Sequence, residues 1–270
     1  MTERYVHPDK VMLGECTRRE IREALKSGRL KAALLPIGAV EQHNEHLSLN
    51  LDIVLATFIA QRAALRLYPL VTVAPSCPVG YSPYHMAREG TLTLRKETLK
   101  AYLYDVIASL QTHGIGAVLI VNGHGGNSDH VGVAGQDLVN RLGQPVTVAS
   151  CNYWDLTRTA LVEKGLIEGA RVPGHAAHFE TSLVMALRPN WVDAEALAKV
   201  EDQSSAAGGL DVDLTGAVVQ TYGTFQAGPG HTDNPADATP ELGNAMLEVI
   251  VAQVAQFYRN FNKVLGPTLD

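Results

Sequence analysis

The stretch from Leu34 to Asp52 reads LLPIGAVEQHNEHLSLNLD and decides how this chain folds. It begins inside an unbroken apolar run, residues 32–37, which is typical of a strand buried in a parallel sheet. Two histidines and three acids follow closely, namely Glu41, His43, Glu45, His46 and Asp52. A buried strand that ends in carboxylate and imidazole groups predicts a divalent cation site at that end.

The rest of the chain repeats this alternation of apolar runs and helical patterns. Strands are also predicted at 71–75, 117–121 and 146–150, and helices at 17–26, 52–67, 96–113, 128–142, 179–187 and 240–258. Strands that alternate with helices predict an α/β fold, with a mostly parallel sheet covered by helices on both faces. No linker divides residues 1–270, so we expect a single domain. The loop-rich segment 189–230 is interpreted as a cap or an oligomer contact.

Composition narrows the class of protein. The chain has 270 residues, of which 46% are hydrophobic and 19% charged, so it can bury a sizeable core. The formal net charge is -6 and no basic stripe is present, which argues against a nucleic-acid partner. Three cysteines without a CxxC pair predict neither a disulfide framework nor a cysteine zinc site. The sequence shows no signal peptide and no membrane-spanning stretch, so we expect a cytoplasmic protein.

Further polar clusters fall where the predicted strands end. The sequence Asn-Gly-His-Gly-Gly-Asn occupies residues 122–127, and Asn152 to Asp155 follow the fourth strand. Ligands of parallel sheets bind at the carboxyl ends of the strands. These clusters and the segment 41–52 are therefore expected to form one site.

Five side chains suit a hard or borderline divalent metal: Glu41, His43, Asp52, His124 and Glu180. One ion needs only three or four protein ligands, so five favour two ions, with Asp52 as the bridging carboxylate. Simpler interpretations stay open for the individual residues and motifs of this set. Glu41 and Asp52 could be acids at a helix N-terminus, and residues 122–127 could be only a strand-to-helix turn. A phosphate-binding loop is disfavoured because no lysine follows the glycines.

Three motifs together closely resemble the creatininase (creatinine amidohydrolase) family. They are LPIGAVEQHNEH at 35–46, VNGHGGN at 121–127 and HAAHFETS at 175–182. The resemblance runs from about residue 30 to 260 and includes CNYWD at 151–155 and GPGHTDNPADAT at 228–239. It implies a three-layer αβα fold, an assembly that is often hexameric, and a two-metal hydrolase site.

The resemblance also implies roles for single residues. The metal ligands that it implies are Glu41, His43, Asp52 and His124. Zinc or manganese is the expected metal, and iron also suits these ligands. His175 matches the family's catalytic histidine, and Trp154 matches an aromatic residue that lies over the substrate in creatininase itself.

Two departures from creatininase bear on the substrate. Creatininase carries Tyr and Glu at the positions of Gly125 and Gly126, and that glutamate binds the second metal, so Glu180 is the candidate replacement. The family tends to show His-x-x-Phe-Pro-Gly-Thr, whereas residues 85–91 read HMAREGT, with Arg88 in place of the phenylalanine. If this loop lines the site, the substrate is more polar than creatinine, and creatinine itself is not expected to be the substrate.

The predicted reaction is metal-assisted hydrolysis of a small molecule, in which an activated water attacks a carbonyl carbon and opens a cyclic amide. His175, or Glu180 if it is not a ligand, protonates the leaving atom. An aromatic pair would supply a flat wall for a ring-shaped substrate. The candidate substrate-binding residues are Trp154, Tyr153, His85, Arg88 and His178.

Other functions stay open. Relatives of the family deformylate pyrimidine formamides, trim peptides or open ketone-bearing rings such as dehydro-inososes, and Arg88 favours a polyhydroxylated ring. The rival from another class is a non-catalytic metal-binding or structural protein, against which the full ligand set and His175 argue. A nucleotide-binding Rossmann protein would need a glycine-rich turn after the first strand, which residues 36–41 lack.

Overall fold

Four parallel strands form the sheet of the computed structural model, which describes residues 10–141, 143, 145–167, 172–203 and 228–264. The strands are β1 (Ala32–Ile37), β2 (Val71–Val73), β3 (Ala117–Asn122) and β4 (Thr147–Asn152). Their order is β2-β1-β3-β4, and every neighbouring pair is parallel. The predicted parallel sheet is therefore confirmed.

Helices alternate with the strands. The α-helices are α1 (Arg18–Lys26), α2 (Leu51–Leu67), α3 (Lys96–Thr112), α4 (Ser128–Gln136), α5 (Tyr153–Glu163), α6 (His178–Leu187), α7 (Ala194–Leu197) and α8 (Pro240–Val264). Short 3-10 turns cover Leu13–Glu15, Pro83–His85, Gly125–Asn127, Pro189–Trp191 and Pro235–Asp237, and a π-helix covers Asp137–Arg141. Sequence patterning did not predict α5, because β4 runs into it with no glycine or proline between them.

Side chains alternate across the sheet and build two cores. From β1, Leu34 packs on the side covered by α2, α5, α6 and α8, whereas Leu35 packs on the side covered by α1, α3 and α4. Leu119 and Ile120 of β3 divide in the same way. Every residue of β1 and β3 is buried, so both faces of these strands are covered. This is the three-layer αβα architecture that the family resemblance implied.

The strand order opens a crevice at the carboxyl edge of the sheet. Helix α2, which follows β1, lies on one face, and α4, which follows β3, lies on the other. The loops that leave these two neighbouring strands therefore diverge. Such a switch point is where open α/β sheets bind their ligands.

Two glycines let α2 approach the ends of these strands. A Cβ atom on Gly38 would collide with the main chain of Asp52 and Ile53. A Cβ atom on Gly123 would lie 2.6 Å from the carbonyl oxygen of Asp52. The first turn of α2 is thereby seated between the ends of β1 and β3.

No helix within the described ranges is long and apolar enough to cross a membrane. All three cysteines are free thiols. Of the segment 189–230 interpreted as a cap or an oligomer contact, residues 204–227 lie outside the described part of the chain. That interpretation stays a prediction, as does the assignment of residues 1–270 to one domain.

Gly38→Ala should destabilise the protein by about 1–3 kcal/mol, as at other overpacked sites, because its Cβ collides with the main chain of α2. Gly132→Ala on α4 is the matched control, since nothing lies within 4 Å of its Cβ. Alanine there should raise stability by up to about 1 kcal/mol. Urea unfolding measures both changes, and a Gly38→Ala protein as stable as wild type would contradict the close approach.

Candidate metal centre

The loop that leaves β1 carries the first two candidate ligands. The main-chain N–H of Glu41 donates to the carbonyl of Leu49 over 2.9 Å, and its carboxylate accepts a short hydrogen bond from the Ser82 hydroxyl. His43 is fully buried, with Nδ1 3.1 Å from the carbonyl of Glu41. Since a carbonyl can only accept, Nδ1 carries a proton and Nε2 turns toward the site.

The loop that leaves β3 holds His124 in a similar manner. The Asn122 side chain accepts from the His124 N–H over 3.1 Å and donates to its carbonyl over 2.7 Å, which closes a tight turn. The ring Nε2 lies 3.0 Å from the carbonyl of Tyr81, so Nε2 is the donor and Nδ1 faces the site. Nδ1 lies 3.2 Å from Glu41 Oε1 and 3.2 Å from Asp52 Oδ2.

Asp52 lies between the two histidines, in the first turn of α2. Its carboxylate oxygens face different rings, with Oδ1 3.3 Å from His43 Nε2 and Oδ2 3.2 Å from His124 Nδ1. A carboxylate shared in this way would serve as a bridging ligand if two metal ions were bound.

Glu180 reaches the same place from α6. Its Oε2 accepts a hydrogen bond of 2.7 Å from the N–H of Ala176 and lies 3.9 Å from His43 Nε2. His175 enters from the segment before α6, with Nδ1 3.7 Å from Glu41 Oε1. The structure thus brings together all five predicted ligands and the predicted catalytic histidine.

Burial and charge shift the pKa values in this cluster. Burial opposes a charge on His43 and on His124, but the carboxylates beside them outweigh it and raise the two pKa values to about 9 and about 10. Burial raises the pKa of Glu180 to about 8, and the charges of Asp52 and Glu41 act in the same direction. The field that holds protons on two histidines would hold divalent cations in their place.

The donor set fits divalent metal ions. His43 Nε2 and Asp52 Oδ2 are buried and make no hydrogen bond of good geometry within the described residues, so a cation would satisfy them. Imidazole nitrogens and carboxylate oxygens are ligands of zinc and manganese. Three groups bring their ligand atoms within 4.8 Å of one another: Glu41, Asp52 and His124; His43, His175 and Glu180; and Glu41, His85 and His175.

A cavity of about 140 Å³ opens beside these ligands. Its wall includes two of the predicted substrate-binding residues, Trp154 and His85, together with Tyr84 and residues 173–175. This volume suits a small molecule or one end of a larger one.

Two other predicted substrate-binding residues lie away from this wall. Tyr153 is 1% exposed and stacks against Phe179 in the core, because neighbouring helical residues point about 100° apart and Trp154 takes the cavity side. His178 lines a separate cavity, since it lies on the opposite side of α6 from Glu180.

Arg88 connects two loops and is not among the residues that line the cavity. Its guanidinium donates to the carbonyl of Gly228, and a Cβ on Gly230 would lie 3.3 Å from its Cζ. The position of Arg88 therefore does not support the expectation that it binds a polar substrate. It ties the loop after β2 to the segment 228–230.

The family of this chain is decided by its match to a family model described as creatininase, creatinine amidohydrolase, over residues 14–258. The chain belongs to the creatininase family. Creatinine amidohydrolase of Pseudomonas putida is 31% identical over an alignment of 268 positions, which covers 92% of this chain and 96% of that protein. The 3-dehydro-scyllo-inosose hydrolase of Thermotoga maritima is 27% identical over 230 residues, which cover 82% and 71%.

Solved creatininase structures share the fold. A mutant creatininase of the Zn-Zn type has a TM-score of 0.77 and 30% identity, over 93% of this chain and 98% of the other. A creatininase with Mn has a TM-score of 0.75 and 29% identity over the same shares. Membership of the creatininase family is therefore confirmed, and the family and the ligand cluster together make the chain a metal-dependent hydrolase.

In this creatininase-family chain, Tyr84 fills the space that a side chain at position 126 would need. A Cβ on Gly126 would lie 2.6 Å from His124 Nε2 and would collide with the Tyr84 hydroxyl and the Tyr81 carbonyl. The Tyr84 hydroxyl itself lies 3.1 Å from His124 Nε2. The packing around Gly126 thus leaves no space for a glutamate side chain at this position.

Sequence reasoning did not single out three residues of the site: Gln42, Ser82 and Tyr84. Gln42 lies between two candidate ligands, and Tyr84 directly precedes His85. Their neighbours were the signal that could have found them, because glutamine, serine and tyrosine are too common in polar loops to indicate a function.

Gly126→Ala should weaken zinc binding about 10–100-fold, the usual effect of disturbing a partner of a metal ligand, because its Cβ displaces His124 or Tyr84. Gly125→Ala is the matched control, since nothing lies within 4 Å of its Cβ. Competition with a chromophoric chelator measures both affinities. Equal affinities for the two variants would contradict the packing described here.

Proposed function

We propose that this chain hydrolyses a C–N bond in a cyclic amide, with two divalent metal ions at the centre described above. The observation that supports this most is the position of Asp52, whose two oxygens face His43 and His124 at 3.3 and 3.2 Å. A carboxylate whose two oxygens face different imidazoles is placed to bridge two metal ions. The 31% identity to a creatinine amidohydrolase supports an amide bond as the target.

The proposed ligands divide into two groups that share one residue. One group is Glu41, Asp52 and His124, and the other is His43, Asp52 and Glu180. Asp52 is then the bridge, and Glu180 contributes the carboxylate that Gly126 cannot. Zinc and manganese are the proposed metals, with iron also compatible, and when bound they supply an activated water and a polarised carbonyl.

The side chains around the cavity take the remaining roles. Burial holds the pKa of His175 well below its usual value, so its imidazole is neutral and first takes a proton from the attacking water. It then gives that proton to the leaving nitrogen as the C–N bond breaks, and Glu180 is the alternative donor if it does not bind a metal. Trp154 forms a flat wall against which a ring can lie. His85 faces the substrate from the side of Glu41.

A second candidate is the hydrolytic opening of a carbon–carbon bond in a polyhydroxylated ring ketone. The 27% identity to 3-dehydro-scyllo-inosose hydrolase, over 82% of this chain, favours it. The substrates of both candidate reactions are small rings, which suits a cavity of about 140 Å³.

We further propose that the protein is cytoplasmic and forms a homo-oligomer. The family resemblance favours a hexamer. The proposed partner is a small-molecule substrate, and no nucleic acid is proposed because the net charge is -6.

Removal of the metals should abolish turnover of the cyclic-amide substrate, and zinc or manganese should restore it. His43→Ala and Asp52→Ala should stay at the background rate after reloading, with circular dichroism spectra like those of wild type, because each loses a ligand. His113→Ala, at an exposed position after α3, is the control and should keep wild-type activity.

The substrate panel for this experiment contains cyclic amides and an inosose. Hydrolysis of the inosose without hydrolysis of any amide would support the second candidate instead. Full activity of metal-stripped His43→Ala would refute metal-dependent hydrolysis at this centre.

Glu180→Gln should lower the bound metal from two ions to one per chain, since the amide is a poor ligand and the second group loses its own carboxylate. Elemental analysis after dialysis against zinc gives the ratio. Glu163→Gln, at an exposed position at the end of α5, is the matched control and should retain two ions. Two ions in Glu180→Gln would show that the second carboxylate is a different residue.

A further inference from the structure

Gln42 lies between two histidines on one side of the cavity. Its amide nitrogen Nε2 lies 3.1 Å from His85 Nδ1 and 2.8 Å from His175 Nε2. The two imidazole rings stack, with centroids 4.4 Å apart and an interplanar angle of 16°. Gln42 is 4% exposed and His85 is 3% exposed, whereas the His175 side chain is 15% exposed at the wall of the cavity.

The main chain of Asn44 sets the orientation of the Gln42 amide. The Asn44 N–H lies 2.9 Å from Gln42 Oε1, and a backbone N–H can only donate. The amide oxygen therefore occupies this position, and the amide nitrogen faces the two histidines. Asn44 adopts a φ of 54°, in the left-handed region that asparagine tolerates better than most residues.

This orientation determines the tautomer of His85. An amide NH2 group has donors and no acceptor, so His85 Nδ1 accepts from Gln42 and carries no proton. The ring proton is then on Nε2, the nitrogen that faces Glu41 Oε1 at 3.8 Å. A protonated ring nitrogen has no lone pair with which to bind a metal.

Gln42 also anchors His175 from two directions. The ring Nε2 lies 2.8 Å from the amide nitrogen of Gln42 and 2.9 Å from its main-chain carbonyl. One residue thus offers this nitrogen a donor and an acceptor, so the ring is held whether Nε2 accepts or donates. In both cases Nδ1 faces Glu41 Oε1, at 3.7 Å.

In the proposed ligands His43 and His124, the unprotonated ring nitrogen faces the site and the protonated one faces away from it. The N–H groups of His43 and His124 point to main-chain carbonyls, and their other nitrogens face Asp52. At His85 a side-chain amide group, which donates, takes the place of the main-chain carbonyl, which accepts.

We propose that Gln42 is a positioning residue that makes His85 a hydrogen-bond donor toward the cavity and anchors His175 beside it. His85 and His175 then contact the substrate, and the group that they form with Glu41 holds no further metal ion, although its atoms lie close enough for one. The consequence for the substrate rests on the proposed function. A ring that enters this cavity presents a hydrogen-bond acceptor, such as a carbonyl oxygen, to His85.

Histidine-selective 15N spectra of the full chain loaded with cadmium-113 test the proposal without any substrate. Couplings between nitrogen and cadmium should appear at His43 Nε2 and His124 Nδ1, and none at His85, whose proton should be on Nε2. Cadmium coupling at His85, or a proton on its Nδ1, would overturn the proposal. Absence of coupling at His43 and His124 would instead remove the ligand set of the proposed function, so the two failures differ.

Gln42→Glu supplies the second arm, because the new carboxylate has the same shape and can only accept. His85 should then gain a proton on Nδ1, and kcat should fall about 10²–10³-fold, as when an aligned donor is lost, with KM changed less. Gln136→Glu, exposed at the end of α4, is the charge-matched control and should alter neither. An unchanged His85 spectrum in Gln42→Glu would refute the role of Gln42, and the wild-type spectrum decides alone if this variant does not fold.

Discussion

The burial of three carboxylates at one edge of a parallel sheet is the constraint on which the rest of this structure depends. Glu41, Asp52 and Glu180 are 2%, 2% and 6% exposed. Burial of a charge without a partner costs several kcal/mol, so such a cluster needs positive charge beside it. His43 and His124 supply part of it when they are protonated. Divalent cations bound in place of those protons would satisfy the same oxygens while the imidazoles stay.

Two features of the fold meet this constraint: the close approach of α2 to the ends of β1 and β3, and the different orientation of two pairs of histidine rings. Gly38 and Gly123 let the first turn of α2 press against the ends of β1 and β3, which places Asp52 between His43 and His124. Main-chain carbonyls then turn those two rings so that each offers a lone pair. The rings of His85 and His175 meet the Gln42 amide instead, so the neighbouring wall of the cavity has a different chemistry within a few ångströms.

Much of this could be predicted from the sequence, because it depends on local patterns. The buried run at 32–37 and the alternation of strands and helices led to the parallel sheet, and clusters at strand ends led to the candidate ligands. Three motifs were enough to recognise the creatininase family. Helix α5 was not predicted, since no residue between β4 and α5 marks a boundary.

The direction of each side chain was decided only by the tertiary structure. Tyr153, Arg88 and His178 stand beside good site residues in the sequence, yet helix rotation and a contact with Gly228 point them elsewhere. Tyr84 fills the space above Gly126, although the two are far apart in the chain. The sequence by itself determined which residues are candidate metal ligands, because residue type sets what an atom can donate or bind. Only the packing of distant segments decided which atoms meet, because hydrogen bonds and close contacts depend on positions that no local pattern encodes.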